Sequence, residues 1–65
     1  MITARTAYEL IPHLRSTRPE LVHFAGAAHR DPMALEVCRE YQRDPTASED
    51  DLRARARATV YGGGR

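Results

Sequence analysis

The sequence predicts an all-α fold, a small bundle of three to four short helices with a central helical hairpin over residues 18–43. Three observations support this prediction. Apolar residues recur at helical spacing, and there is little of the alternation that is typical of strands. Ser, Thr and Asp stand where helices should begin, and Pro follows several of them. The tripeptide Arg-Asp-Pro at positions 30–32 recurs at positions 43–45, within one shared apolar register.

The first helix is predicted from Ala4 to about Ile11, with Thr3 as its N-terminal cap. Its apolar positions fall on one side at helical spacing; they are Ala4, Ala7, Leu10, Ile11 and Leu14. Pro12 removes a backbone amide and crowds the preceding turn, so we expect it to interrupt this helix. Residues 13–16 should then form a loose turn or a kinked continuation.

The second helix is predicted over residues 18–28, and the third from Asp31-Pro32 to residue 43. Thr17 and Glu20 have the spacing of a capping box at the start of the second helix. Gly26 weakens the middle of that helix. Apolar positions of the two helices correspond thirteen residues apart; the pairs are 21 and 34, 22 and 35, 24 and 37, 25 and 38, and 28 and 41. Two such helices with a short connection favour a helical hairpin or a sharply crossed pair.

The last helix is predicted to follow a turn over residues 44–47, with Ser48 as its cap. Carboxylates at positions 49–51 occupy its first turn, where the helix dipole favours negative charge. We expect ion pairs of residue 49 with 53 and of residue 51 with 55, which are four apart in the favourable order. Residues 1–61 are therefore predicted to form one small helical domain, and residues 62–65 a flexible Gly-rich tail.

Length and composition indicate a domain with a small core. A chain of 65 residues buries only about 60% of its unfolded surface, so its stability is marginal. Ten residues are Ala, which favours helix but contributes little transfer free energy. The net charge of +1 provides no strong field to attract nucleic acid or an anionic membrane. Association with itself or with a larger partner is the simplest way to add buried apolar surface.

The cysteine count and the hydropathy pattern predict a cytoplasmic protein. The single Cys38 excludes an internal disulfide and suits a reducing compartment. No run approaches the roughly 20 apolar residues that cross a bilayer. The first residues lack the apolar stretch of a signal peptide. We therefore expect no membrane partner.

The residues that could carry chemistry do not form a catalytic or metal-binding motif. His23 and His29 are six apart, which places them about 120° apart around a helix. Cys38 lies on the predicted apolar arc, where a free Cys acts as a small hydrophobe. The sequence therefore predicts no enzyme, no metal site and no cofactor.

A row of charged side chains is predicted on the solvent face of the third helix. Its carboxylates are Glu36, Glu40 and Asp44, beside Arg39 and Arg43. Acid–base catalysis by such a row would need a cleft between elements, which a small helical chain rarely forms. A solvated face is the favoured interpretation.

The leading functional hypothesis is a small protein–protein interaction module. It would act as a regulator, inhibitor or assembly subunit of a larger partner or of a homo-oligomer. The candidate partner-binding residues are Tyr8, Ile11, Leu14, Val60 and Tyr61. Tyr is favoured at interfaces because it offers a large rigid area and a polar tip. The alternative for each residue is that it closes the intramolecular core.

The second hypothesis is a helix-turn-helix-like, DNA-binding transcriptional regulator that uses residues 20–43. Residues 21–27 resemble the small-residue-then-Gly turn of that motif, with Gly26 as the turn glycine. The candidate DNA-binding residues are Arg30, Arg39 and Arg43. Pro32 falls where the recognition helix should continue, and acidic residues would face the phosphates. Nucleic acid is therefore the less favoured partner.

Overall fold

The computed structural model describes residues 3–62 and shows five α-helices in that range. They are α1 (Ala4–Glu9), α2 (Ile11–Thr17), α3 (Val22–Ala27), α4 (Pro32–Arg43) and α5 (Glu49–Arg57). A one-turn 3-10 helix, Pro19–Leu21, leads into α3, and a π-helical turn, Ala58–Gly62, follows α5. Residues 3–62 contain no strand, so the predicted all-α class is confirmed. There is one helix more than expected, because the N-terminal segment divides in two.

All five helices contribute to one apolar core. The largest fully buried side chains are those of Leu14, Leu21, Val37 and Leu52. Six of the twelve buried apolar residues among positions 3–62 are Ala. Alanine allows helices to approach closely but removes little apolar area from water. The central helix α4 packs against α1, α3, α5 and the π-helical turn.

The thirteen-residue register predicted for the central hairpin is visible in the burial pattern. α3 and α4 pack against each other and are joined by the short connection 28–31. Both members are buried in three of the pairs; these are Leu21 with Ala34, Ala25 with Cys38, and Ala28 with Tyr41. Val22 and Leu35 are both half-buried. The local apolar pattern therefore identifies the apolar residues of α3 and α4 that face the core.

Three of the predicted N-terminal caps are present. The Thr3 hydroxyl accepts a hydrogen bond from the Thr6 amide at 3.2 Å. An Asp31 carboxylate oxygen accepts from the amide two residues on at 3.0 Å. The Ser48 hydroxyl accepts from the Asp51 amide at 3.1 Å. Each cap satisfies an amide that has no partner within its own helix.

The interruption predicted near Pro12 is present as a break of one residue at Leu10, and residues 13–16 form the helical continuation, not the loose turn, of the two forms expected. Pro12 lies in the first turn of α2, where the missing N–H would have had no intrahelical partner. Leu10 keeps right-handed helical dihedrals, and its carbonyl accepts from the Leu14 amide at 2.9 Å. Residues 13–16 are consequently helical, and α2 follows α1 with a break of one residue.

The predicted capping box of Thr17 and Glu20 is wrong. Helix α2 extends through Thr17, whose hydroxyl donates to the His13 carbonyl at 3.0 Å. The Glu20 carboxylate accepts from Arg18 Nε at 2.7 Å, and this hydrogen bond lowers the pKa of Glu20. Since both side chains are engaged elsewhere, the chain enters α3 through the 3-10 turn, without a side-chain cap.

The α5 region follows the prediction in part. The turn over residues 44–47 is confirmed by the Ala47 amide, which donates to the Asp44 carbonyl at 3.1 Å. Glu49 and Arg53 form the expected ion pair at 3.6 Å. Arg55 instead contacts Asp44, with 3.3 Å between Nη1 and Oδ2. The Thr46 hydroxyl and Arg55 both donate to Asp44 and lower the pKa of its carboxyl group.

The C-terminal prediction is only partly within the range described. Gly62 belongs to the π-helical turn. The rest of the predicted flexible tail, residues 63–65, lies outside the described residues. Within residues 3–62, each helix is too short or too polar to cross a bilayer.

Candidate protein-interaction surface

The α1–α2 segment has an inward and an outward face. Ala7 and Leu14 are buried in the core and Leu10 is half-buried against it. The outward side has residues at the spacing i, i+3, i+4, i+7 of one helical stripe; they are Tyr8, Ile11, Pro12 and Arg15. Three of them are exposed, whereas Ile11 is half-buried and also packs against the edge of the core. Because α2 resumes directly after Leu10, the stripe extends over both helices.

The outward stripe lines a surface groove of about 410 Å³, called here the α1–α2 groove. Its lining residues are Tyr8, Glu9, Ile11, Pro12 and Arg15. The Tyr8 side chain is 64% exposed, while Ile11 is half-buried. An exposed aromatic ring beside aliphatic surface is typical of residues that bind another protein.

The groove carries one charge of each sign. Glu9 lies in α1, and its Oε2 is 3.5 Å from Arg5 Nε in a solvent-exposed ion pair. Such exposed pairs contribute little free energy, so Glu9 remains available to another cation. Arg15 lies in α2 and has no ion pair or hydrogen bond with any side chain of residues 3–62. Its guanidinium is therefore free to bind a carboxylate.

The structure separates the five residues that were predicted to bind a partner. Tyr8 and Ile11 line the α1–α2 groove. Leu14 is only 1% exposed, so its side chain closes the core and does not form part of a surface. Val60 is half-buried, and Tyr61, 69% exposed, lies on the π-helical turn after α5. Neither residue lines the groove.

The prediction from sequence missed Glu9, Pro12 and Arg15 as groove residues. The signal was present in the spacing of residues 8, 11, 12 and 15. It is obscured because Pro12 predicts an interruption of the helix, and a loose turn at residues 13–16, one of the two forms expected, would remove the continuity on which the stripe depends.

The prediction that the charged row of α4 lies on a solvated face is wrong for its two glutamates. Glu36 and Glu40 are only 5% and 6% exposed. Glu36 Oε1 lies 3.1 Å from Arg39 Nη1, and Glu40 Oε2 lies 3.2 Å from Arg43 Nη1. A carboxylate near the core needs such a charged donor to offset its desolvation. The sequence pattern does not predict the burial of these two glutamates, because neighbouring helices cover a wider part of α4 than its apolar side.

The candidate DNA-binding arginines are accordingly in different environments. Arg39 and Arg43 are engaged by the two glutamates, whereas Arg30 is exposed at the end of the α3–α4 connection. Gly26 lies inside α3, so the prediction that it forms the turn of a helix-turn-helix is wrong. The chain turns from α3 into α4 at residues 28–31 instead.

Cys38, His23 and His13 make contacts within the fold, whereas His29 is exposed. Cys38 is buried, as predicted, and burial raises the pKa of its thiol to about 11. His23 packs against Phe24 with ring centroids 4.0 Å apart, and His13 Nε2 is 3.3 Å from the Tyr41 hydroxyl. Among the residues of the described chain, no three His, Cys, Asp or Glu side chains cluster as a metal site would require.

The chain was compared with known proteins at the level of family, sequence and structure. No protein-family model matches it, and neither a curated protein nor a solved structure matches it significantly.

Proposed function

We propose that this protein is a small protein–protein interaction module that acts as a regulator, inhibitor or assembly subunit through the α1–α2 groove. The observation that carries the proposal is the exposed ring of Tyr8 beside Ile11 and Pro12 in that groove. Large exposed apolar side chains are otherwise rare on residues 3–62, where Tyr61 is the other example.

The composition of the core supports the same proposal. A core that is half alanine gains little free energy from burial, so a surface that buries further apolar area on association would stabilise the fold. The mixed charges of Glu9 and Arg15 would orient a partner in the groove. We also propose that the protein acts in the cytoplasm, with which its free, buried Cys38 is compatible.

DNA binding is the less favoured alternative. Two of its three arginines already contact glutamates of the same helix, and the net charge of the chain is only +1. Phosphate binding by Arg39 and Arg43 would compete with those ion pairs. A mobility-shift titration at several salt concentrations tests this alternative. Binding that weakens steeply with salt, and that is lost when Arg39 and Arg43 are both changed to Ala, would favour DNA over protein as the partner.

The interaction proposal is tested with two matched tyrosine variants of the full-length chain. Tyr8→Ala removes the exposed ring of the groove, whereas Tyr61→Ala removes a ring of similar exposure elsewhere. We expect Tyr8→Ala to weaken partner binding about tenfold or more, as truncation of an aromatic contact residue typically does. Tyr61→Ala should leave binding unchanged, and both variants should keep the helical circular dichroism of the wild type.

The measurement combines sedimentation of the purified chain with affinity capture from its own cell lysate, followed by titration of the captured protein. Equal loss in both variants would place the interaction outside the groove. A chain that stays monomeric and captures nothing specific would contradict the proposal.

A further inference from the structure

The outward stripe of α1 and α2 is complementary to itself when one copy is turned end to end. Its members stand at i, i+3, i+4 and i+7, and this spacing reads the same in both directions. If two stripes approach antiparallel about an axis between positions 11 and 12, Ile11 falls opposite Pro12 of the second copy. Tyr8 then falls opposite Arg15 of the second copy. A two-fold interface requires this reciprocity, since each contact must occur twice.

The charges of the α1–α2 groove fit the same arrangement. Glu9 lines the groove beside the stripe, about 100° around the helix from Tyr8. The antiparallel approach places it one residue away from the level of Arg15 of the second copy, within reach of two long side chains. Arg15 has no ion pair or hydrogen bond of its own in the part of the chain described, and Glu9 is held only by an exposed pair with Arg5 at 3.5 Å. An arginine over a tyrosine ring and beside a carboxylate is a favourable contact, through cation–π attraction and a charge-assisted hydrogen bond.

We propose that the partner bound in the α1–α2 groove is a second copy of this chain, docked about a two-fold axis with Glu9 of each copy facing Arg15 of the other. This inference rests on the proposed interaction function and names its partner. The apolar contact comes from Ile11, Pro12 and the Tyr8 ring, and the two charge pairs fix the antiparallel direction. The dimer adds apolar burial to a domain whose own core consists half of alanine.

A charge exchange between copies tests the geometry. Glu9→Arg places two arginines face to face at each end of the homodimer, and Arg15→Glu places two glutamates there. We expect each single variant to dimerise about tenfold or more weakly than the wild type. An equimolar mixture of the two variants brings opposite charges together at both ends of the heterodimer. The mixture should therefore recover dimers, which a loss of fold within one chain would not allow.

Arg57→Glu provides the matched control. Arg57 is an exposed arginine on α5, outside the groove, and its replacement changes the net charge as Arg15→Glu does. We expect Arg57→Glu alone to dimerise as the wild type does. A mixture of Glu9→Arg with Arg57→Glu should not restore dimers above the amount that Arg57→Glu forms alone. If the second mixture instead forms more dimers than Arg57→Glu alone, by as much as the first mixture gains over its two components, then net charge and not the groove controls association, and the proposal is overturned.

Analytical ultracentrifugation from about 1 μM to about 1 mM is the measurement, with circular dichroism to confirm that every variant is helical. A wild-type chain that is monomeric throughout overturns the two-fold dimer. If that monomer nevertheless captures another protein, and the capture is lost with Tyr8→Ala but not with Tyr61→Ala, the interaction function remains and only its partner changes. If the monomer captures nothing, both proposals fail.

Discussion

Arg18 lies over the ring of Tyr41, with 5.9 Å between the guanidinium carbon and the ring centroid. The same guanidinium donates to the carbonyls of Pro45 and Ala47, both at 2.9 Å, and to Glu20 at 2.7 Å. One side chain thereby connects the segment before α3 with both α4 and the turn after it. We call this set of contacts the Arg18 clamp.

The Arg18 clamp should contribute measurably to stability. We expect Arg18→Ala to lower the free energy of unfolding by about 2 kcal/mol, because hydrogen bonds from a charged donor to two carbonyls are lost. Arg18→Lys should recover only a small part, since an ammonium group cannot reproduce the planar fork. Urea unfolding followed by circular dichroism measures both. Arg57→Ala is the control for loss of an exposed charge, and an equal effect there would contradict the role of the clamp.

Leu14 and Ile11 should differ in their contributions to stability. Leu14 is fully buried, so Leu14→Ala should lower the free energy of unfolding by about 3 kcal/mol through lost transfer energy and a cavity. Ile11 is half-buried at the groove, and Ile11→Ala should cost about 1 kcal/mol. Thermal and urea unfolding of the two variants measure the difference. If Leu14→Ala were nearly as stable as the wild type, Leu14 would not be a core residue.

Gly26 is a site where a single methyl group should stabilise the protein. It lies inside α3, and a Cβ atom built there meets no atom of the described residues within 4 Å other than those of its chain neighbours and of the backbone of its own helix. Gly26→Ala should therefore raise the free energy of unfolding by about 0.5–1 kcal/mol, because alanine restricts the unfolded chain and has higher helix propensity. The reverse change at an exposed site of α5, Ala54→Gly, should cost a similar amount. A destabilised Gly26→Ala variant would show that α3 is not helical at this position.

The buried thiol of Cys38 should make stability depend on pH in the alkaline range. Its pKa is raised from 9.0 to about 11 by burial, so the unfolded chain loses the thiol proton at a lower pH than the folded chain. The unfolded state then binds fewer protons between pH 9 and 11, and stability falls as the pH rises through that interval. Below about pH 8 the thiol is protonated in both states and has no such effect.

Urea unfolding of the wild type and of Cys38→Ala at pH 7 and at pH 10.5 isolates this contribution, because the two proteins differ only at residue 38. The stability advantage of the wild type over Cys38→Ala should shrink at the higher pH. An advantage that does not change with pH would contradict the burial of Cys38.

The parts of the fold that the sequence predicted are those set by neighbouring residues. The caps of Thr3, Asp31 and Ser48 bind amides only two or three positions away, so the sequence alone predicts them. The apolar register of α3 and α4 likewise repeats at helical spacing. The burial of Glu36 and Glu40 could not be predicted, because it depends on how neighbouring helices cover α4.

The candidate site was predictable to a similar extent. Tyr8 and Ile11 were identified because large aromatic and aliphatic groups near the chain ends lacked a clear place in a small core. Arg15 was missed because the role of Pro12 depends on its position within the helix: Pro interrupts a helix interior but is accepted in the first turn. Leu14 lies in the core and not in the candidate surface, because residues 13–16 are helical and this direction of the chain turns its side chain inward.

The Arg18 clamp also has a consequence for the rate at which the fold is lost. Its two carbonyl partners lie 27 and 29 residues away along the chain, whereas the helix caps join positions at most three apart. Closing so long a loop is entropically unfavourable, so we expect the clamp to form after the main barrier of folding has been crossed. Its removal would then leave the folding rate nearly unchanged and accelerate unfolding, which makes Arg18 a determinant of the lifetime of the native state.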